Sequence, residues 1–109
     1  MKTVTVGKVQ FSNSAPFVLI AGPCQLEGLD HSRHIAGTLA SACSDLGIPF
    51  VFKGSFDKAN RSSLSGKRGL GIDQGLSIMS KIADEFGCPT LTDIHSPEQC
   101  AVAAEAVDI

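Results

Sequence analysis

The sequence has no tryptophan or tyrosine, no close cysteine pair, no long apolar run and no excess of positive charge. Each absence narrows the field. With a formal net charge of −2 and a pI near 5.8, the chain lacks the basic face expected of a nucleic-acid binder. No apolar stretch approaches the roughly 18 residues needed to cross a bilayer. The N-terminal Met1-Lys2-Thr3-Val4-Thr5-Val6 alternates and breaks at Gly7, without the continuous apolar core of a secretory signal. A cytoplasmic location with no membrane partner is the expectation. The four cysteines, Cys24, Cys43, Cys88 and Cys100, are widely and irregularly spaced, so a disulfide framework is not expected. Cys43 and Cys100 read as small apolar residues on helices, and Cys88 as part of a strand start. The length of 109 residues and the 43% hydrophobic composition suit one small globular domain or part of a larger one.

The pattern along the chain is one of alternation. Residues 3–11 predict a hairpin, with Val4, Val6, Val9 and Phe11 as strand formers and Gly7-Lys8 as the turn. A polar linker ends at Pro16. Phe17-Val18-Leu19-Ile20-Ala21 and Pro49-Phe50-Val51-Phe52-Lys53 are continuously apolar up to their ends, as strands of a parallel sheet buried on both faces are. Pro89-Thr90-Leu91-Thr92-Asp93-Ile94 predicts a third such strand, and Val107-Asp108-Ile109 the start of a fourth. Between them lie helices expected over 30–46, 72–86 and 96–106. Asp30 and Ser96 are their expected N-caps, and Gly47 and Gly87 their stops. Ile35, Leu39, Ala42, Cys43 and Leu46 form the apolar set of the first helix.

A hairpin followed by β-α-β-α-β-α-β implies an α/β fold with a parallel sheet and crossover helices. An open doubly wound sheet calls for a glycine fingerprint after the first strand, and Gly22-Pro23-Cys24 is not one. A closed (β/α)8 barrel takes roughly 250 residues. The sequence supplies the first three to four βα units of that plan, so the expectation is the N-terminal part of one barrel domain, truncated at strand four. Residues 1–15 would be hairpin and linker, and 16–109 the βα units.

In either architecture the chemistry sits at the C-terminal ends of the strands. The segment Lys53-Gly54-Ser55-Phe56-Asp57-Lys58-Ala59-Asn60-Arg61-Ser62-Ser63 puts three cations among amide and hydroxyl donors. That mixture suits phosphate oxygens: Arg offers a planar fork, Lys a point charge and the hydroxyls further donors. A solvated loop would have the same composition, but Lys53 directly follows an apolar strand, where a charge is costly unless it faces a polar site. Cys24 reads as a small apolar residue or, given its place after Gly22-Pro23, as a thiolate ligand or nucleophile. Glu27 is either a site carboxylate or a charge opening the helix. Asp93 suits acceptance of hydrogen bonds from hydroxyls, or capping of the helix that follows. His95 suits a ligand, an anion donor or a loop residue, and His31 and His34 read as surface residues sharing one helix face.

Phe52-Lys53-Gly54-Ser55-Phe56-Asp57-Lys58-Ala59-Asn60-Arg61-Ser62-Ser63 resembles the signature loop of the 3-deoxy-D-manno-octulosonate 8-phosphate synthases. Ala21-Gly22-Pro23-Cys24 and Thr92-Asp93-Ile94-His95 resemble that family's first and third strand ends. The resemblance implies a TIM (β/α)8 barrel, with the hairpin plugging its base, that condenses phosphoenolpyruvate with arabinose 5-phosphate for Kdo and lipopolysaccharide synthesis. It implies that Lys53 and Lys58 face phosphoenolpyruvate with Ser55 beside them, and that Asn60, Arg61 and Ser62 hold the sugar phosphate. Asp93 would meet sugar hydroxyls with His95 in the same pocket, and Lys58, Asp93 and His95 are the catalytic candidates. Cys24 implies the metal-dependent class, whose divalent ion (Zn, Fe or Mn) takes its other ligands from beyond Ile109. A homotetramer is also implied, and the segment alone would be inactive. The related heptulosonate phosphate synthases, acting on erythrose 4-phosphate, typically carry Lys-Pro-Arg-Thr in the loop. A phosphate-binding module without catalysis is the alternative of another class.

Overall fold

The computed structural model describes residues 2–57 and 70–109. Strands β1 (Val4–Val6) and β2 (Val9–Phe11) form an antiparallel hairpin in which Val4 faces Phe11 and Val6 faces Val9. Gly7 takes a positive φ of 56° at the turn, a conformation open to glycine without the clash a Cβ brings. Strands β3 (Leu19–Ala21), β4 (Phe50–Lys53) and β5 (Thr90–Leu91) form a parallel sheet in the order β3-β4-β5. Helices α1 (Leu29–Leu46) and α2 (Ile72–Phe86) connect them, and α3 (Gln99–Ala104) follows β5.

The core lies between the sheet and the two long helices. Phe50 and Phe52 of β4 pack with Ala36 and Cys43 of α1 and with Ile78, Met79 and Ile82 of α2. The buried positions of α2, from Gly75 and Leu76 through Ile78 and Met79 to Ile82, recur at helical spacing and form one apolar stripe. Since side chains alternate across a strand, Val51 and Lys53 project from the face opposite Phe50 and Phe52. Val51 is fully buried there. Ile20, its neighbour on the edge strand β3, is 40% exposed. Burial on both faces therefore holds for β4 and not for β3.

The strands are shorter than the apolar runs. β3 begins at Leu19, paired with Phe50, and Phe17 stays exposed, because Pro49 has no N–H with which to extend the ladder. Beyond Leu91, the chain turns to another neighbour. Ile109 donates its N–H to the Thr90 carbonyl (3.1 Å) and accepts from the Thr92 N–H (3.1 Å), the alternation of a parallel ladder. The expected start of a fourth strand thus lies hydrogen-bonded along β5.

The helix ends depart from expectation in instructive ways. Gly47 and Gly87 stop α1 and α2 in the left-handed conformation, as expected. Gly28, not Asp30, caps α1, and Asp30 lies in its first turn. The apolar stripe of α1 is also shifted: Ala42 and Leu46 are exposed, while Ser32 and Ala36 are buried. Ser32 can be buried because its hydroxyl donates to the Gly28 carbonyl at 2.8 Å. α3 starts three residues later than expected. Gln99 and Cys100 donate to the carbonyls of Ser96 and Pro97 in tight three-residue turns first. Cys43 is buried as expected, and Cys100 is exposed.

The hairpin sits at the end of the sheet where the strands begin. Lys8 and Val9 line a cleft together with Pro49, Gly87 and Pro89, and Val9 is buried. The opposite end, where the strands finish, carries the polar segments.

Candidate functional site

Three strand ends meet through backbone contacts that leave no room for side chains. A Cβ on Gly22 would stand 1.7 Å from the Lys53 carbonyl oxygen, so only hydrogen fits where the chain leaves β3 toward Cys24. On the other side of β4, the Gly54 N–H donates to the Leu91 carbonyl (3.2 Å), and the Thr92 hydroxyl donates to the Gly54 carbonyl (2.8 Å). The Leu26 N–H donates to the Ser55 carbonyl at 2.9 Å. The Leu26 side chain lies fully buried against Gly54, where a Cβ would come within 2.6 Å of it. The segments after β3, β4 and β5 therefore form a single rim.

Lys53 stands half-buried at the end of β4. Its ammonium has no ion pair among the described residues and is available to an anion. Ser55 is buried, and its hydroxyl donates to the Asp57 carbonyl (2.8 Å) while accepting from the Asp57 N–H (3.3 Å). That hydroxyl braces its own loop at the position beside Lys53. Cys24 is exposed on the rim. Glu27 pairs with His31, four residues on, at 3.1 Å. Lys58, Asn60, Arg61 and Ser62 lie outside the described residues.

Asp93 and His95 form the best-defined part of the rim. Asp93 Oδ2 lies 3.2 Å from His95 Nε2. Asp93 Oδ1 is buried and has no hydrogen-bond partner among the described residues, an unsatisfied acceptor at the strand end. Asp93 is thus not a helix cap. The His95 N–H donates to Gln99 Oε1 at 2.7 Å. Its imidazole meets the Phe56 ring edge-on, with centroids 5.9 Å apart and planes at 78°. Further along, Glu98 is held below the usual carboxylate range by its own backbone N–H and by the Ser96 hydroxyl. Ser96, expected as the cap of α3, serves this carboxylate instead.

Thr92, Phe56 and Gln99 were not singled out by sequence reasoning. Phe56 did leave a signal: it is the one large apolar side chain between Gly54 and Lys58. Gly75, inside a helix, left another. Its missing Cβ would fall 2.4 Å from the Phe56 Cβ, so α2 and the loop after β4 touch there.

A parallel sheet with helices packed on it and polar side chains gathered where its strands end is the arrangement in which α/β folds bind small ligands. The chain belongs to the DAHP synthetase I family, whose sequence pattern matches residues 2–109. Among curated relatives it is 54% identical over 108 residues to the 2-dehydro-3-deoxyphosphooctonate aldolase of Rickettsia felis, covering 99% of this chain and 39% of that protein. It is 55% identical over 108 residues to the protein of the same name from Granulibacter bethesdensis, covering 99% of this chain and 38% of that one. The protein of that name from Bartonella henselae is 54% identical over 106 residues, with 97% and 38% covered. The chain spans about two-fifths of the length of these relatives. Among the described residues, no helix is long and apolar enough to cross a membrane.

Proposed function

We propose that this chain forms the first βα units of a TIM (β/α)8 barrel that condenses phosphoenolpyruvate with D-arabinose 5-phosphate, giving 3-deoxy-D-manno-octulosonate 8-phosphate and inorganic phosphate. The observation that carries this reading is the joining of the three strand ends, which puts Lys53 and the Asp93–His95 pair on one rim. Relatives named for the octonate product, more than half identical over the same stretch, support the choice of sugar. The Asn60-Arg61-Ser62-Ser63 tail, in place of the Lys-Pro-Arg-Thr loop of the heptulosonate enzymes, supports it too.

In the reaction, the oxygen of water bonds to the enol carbon that bears the phosphate. The methylene carbon attacks the sugar aldehyde, and the carbon–oxygen bond to phosphate breaks. Lys53 and Lys58 counter the charge of phosphoenolpyruvate and of the departing phosphate, with Ser55 holding the loop between them. Asp93 accepts from sugar hydroxyls, while its Oδ2 keeps His95 in the pocket. Asn60, Arg61 and Ser62 hold the sugar phosphate, with Arg61 and Ser62 reaching across to a neighbouring subunit of a tetramer. The hairpin closes the base of the barrel, and the enzyme works in the cytoplasm.

An exposed thiol at a strand end suits a divalent metal ligand. Among the described residues no three His, Cys, Asp or Glu side chains converge, so Cys24 would be one ligand and the others would come from beyond Ile109. A Zn, Fe or Mn ion bound there would supply Lewis-acid orientation of water or of the aldehyde.

The test is aldose selectivity of the full-length enzyme. Phosphate release from phosphoenolpyruvate should require arabinose 5-phosphate and be weak with erythrose 4-phosphate; the reverse preference overturns the assignment. Arg61→Ala should raise the KM for arabinose 5-phosphate far more than that for phosphoenolpyruvate.

A further inference from the structure

His95 is restrained from three directions. Asp93 Oδ2 holds Nε2 at 3.2 Å, Gln99 Oε1 holds the backbone N–H at 2.7 Å, and the Phe56 ring meets the imidazole edge-on at 5.9 Å. The first two restraints come from the same segment as His95. The third comes from the loop after β4, the loop that begins at Lys53. Phe56 is itself fixed: it is 1% exposed, its carbonyl accepts from the Gly71 N–H at 3.2 Å, and Gly75 gives it room against α2. A rigid aromatic ring set perpendicular to an imidazole limits that imidazole's rotation, because the edge-to-face geometry is lost when either ring turns.

We propose that Phe56 is a positioning residue, holding the His95 imidazole against Asp93 and so tying the loop that carries the phosphoenolpyruvate-facing Lys53 to the pocket for the sugar. This rests on the reading of His95 and Asp93 as the sugar side of the site. Phe56 touches no substrate; it acts through His95. Its burial under α2 makes the coupling one of packing, so an aliphatic side chain of similar size keeps the fold and loses the orientation.

The experiment compares Phe56→Leu, His95→Ala and the double variant in the full-length enzyme, with Phe56→Met as the milder substitution should Leu fail to fold. An edge-to-face contact of this kind corresponds to roughly a two- to tenfold effect. Phe56→Leu should raise the KM for arabinose 5-phosphate by about that factor with the KM for phosphoenolpyruvate unchanged. In the His95→Ala background the same substitution should do nothing further. Equal rises in both KM values, or an undiminished effect without His95, overturn the proposal. NMR of histidine-labelled enzyme gives a readout that does not depend on turnover. The ring-current shift of the His95 imidazole protons should vanish in Phe56→Leu, and unchanged signals would refute the contact. A full-length enzyme that ignores arabinose 5-phosphate would sink the functional reading, while the His95 signals would still decide the role of Phe56.

Discussion

The two ends of the sheet both rely on glycine, for opposite reasons. Where strands begin, Gly47 and Gly87 end helices with positive φ values of 69° and 63°, and nothing lies within 4 Å of where a Cβ would be. There the backbone conformation selects glycine. Where strands finish, Gly22 and Gly54 have ordinary φ and no space. There the approach of a neighbouring chain selects glycine. The first end is closed with apolar material: Val9, Pro49, Pro89 and two largely covered thiols, Cys43 and Cys88. The second packs backbones as tightly and leaves Lys53, Cys24 and one oxygen of Asp93 without partners among the described residues. Close-packed backbone with open polar side chains is a rigid platform for ligands, whereas the other end is only a seam.

The sharpest way to break this contrast is to substitute one glycine from each end in the full-length enzyme. Gly22→Ala drives a methyl group into the Lys53 carbonyl and should cost about 4 kcal/mol or more, or prevent folding. Gly47→Ala meets only conformational strain and should cost about 1 kcal/mol. Thermal or denaturant unfolding checks both; similar costs would erase the distinction.

At the rim, if Cys24 holds the divalent ion proposed above, Cys24→Asn should remove most of the dependence on divalent metal, since a carboxamide lacks the thiolate that would bind the ion. Chelator should silence the unmutated enzyme and leave the variant's activity untouched. An unmutated enzyme indifferent to chelator would return Cys24 to an ordinary exposed thiol. A smaller effect is expected from Thr92→Val, which keeps the shape and leaves the Gly54 carbonyl without its hydroxyl donor. It should cost about 1–2 kcal/mol, and more catalytic efficiency than an equally destabilising change at the hairpin end.

Much of this was legible in the sequence, and the exceptions share a cause. The hairpin, the parallel α/β order, α2 to the residue and both helix stops follow from local signals: periodicity, turn residues and glycine. The rim positions of Cys24, Lys53, Asp93 and His95 follow from strand ends. The exposure of Leu46 and Ile20 could not be read locally, because it depends on where the sheet edge lies. Phe56 and Thr92 escaped because their partners, His95 and the Gly54 carbonyl, are 39 and 38 residues away. Their own neighbourhoods signal nothing beyond a misplaced aromatic and an ordinary strand threonine. Gly75 is explained in the same way, by a residue distant in sequence, since its missing Cβ would fall 2.4 Å from the Phe56 Cβ.

The smallest expected effect leaves stability untouched and probes the contrast through thiol chemistry. Burial raises the pKa of Cys88 above its ordinary value, and Asp108 adds to the rise against opposing backbone hydrogen bonds. The neutral thiol is thereby favoured at the seam, while Cys24 is exposed on the rim. Alkylation proceeds through the thiolate and requires access. After chelator treatment, iodoacetamide near neutral pH should therefore label Cys24 well before Cys88, as resolved by peptide mass spectrometry. The sign for stability follows from the same shift. A thiol whose pKa is raised by folding contributes fully below pH 9.0 and loses that contribution as pH rises further. Labelling of Cys88 should accelerate across that alkaline range as the seam loosens. Equal rates for the two thiols at neutral pH would show that the strand-start end is as open as the rim.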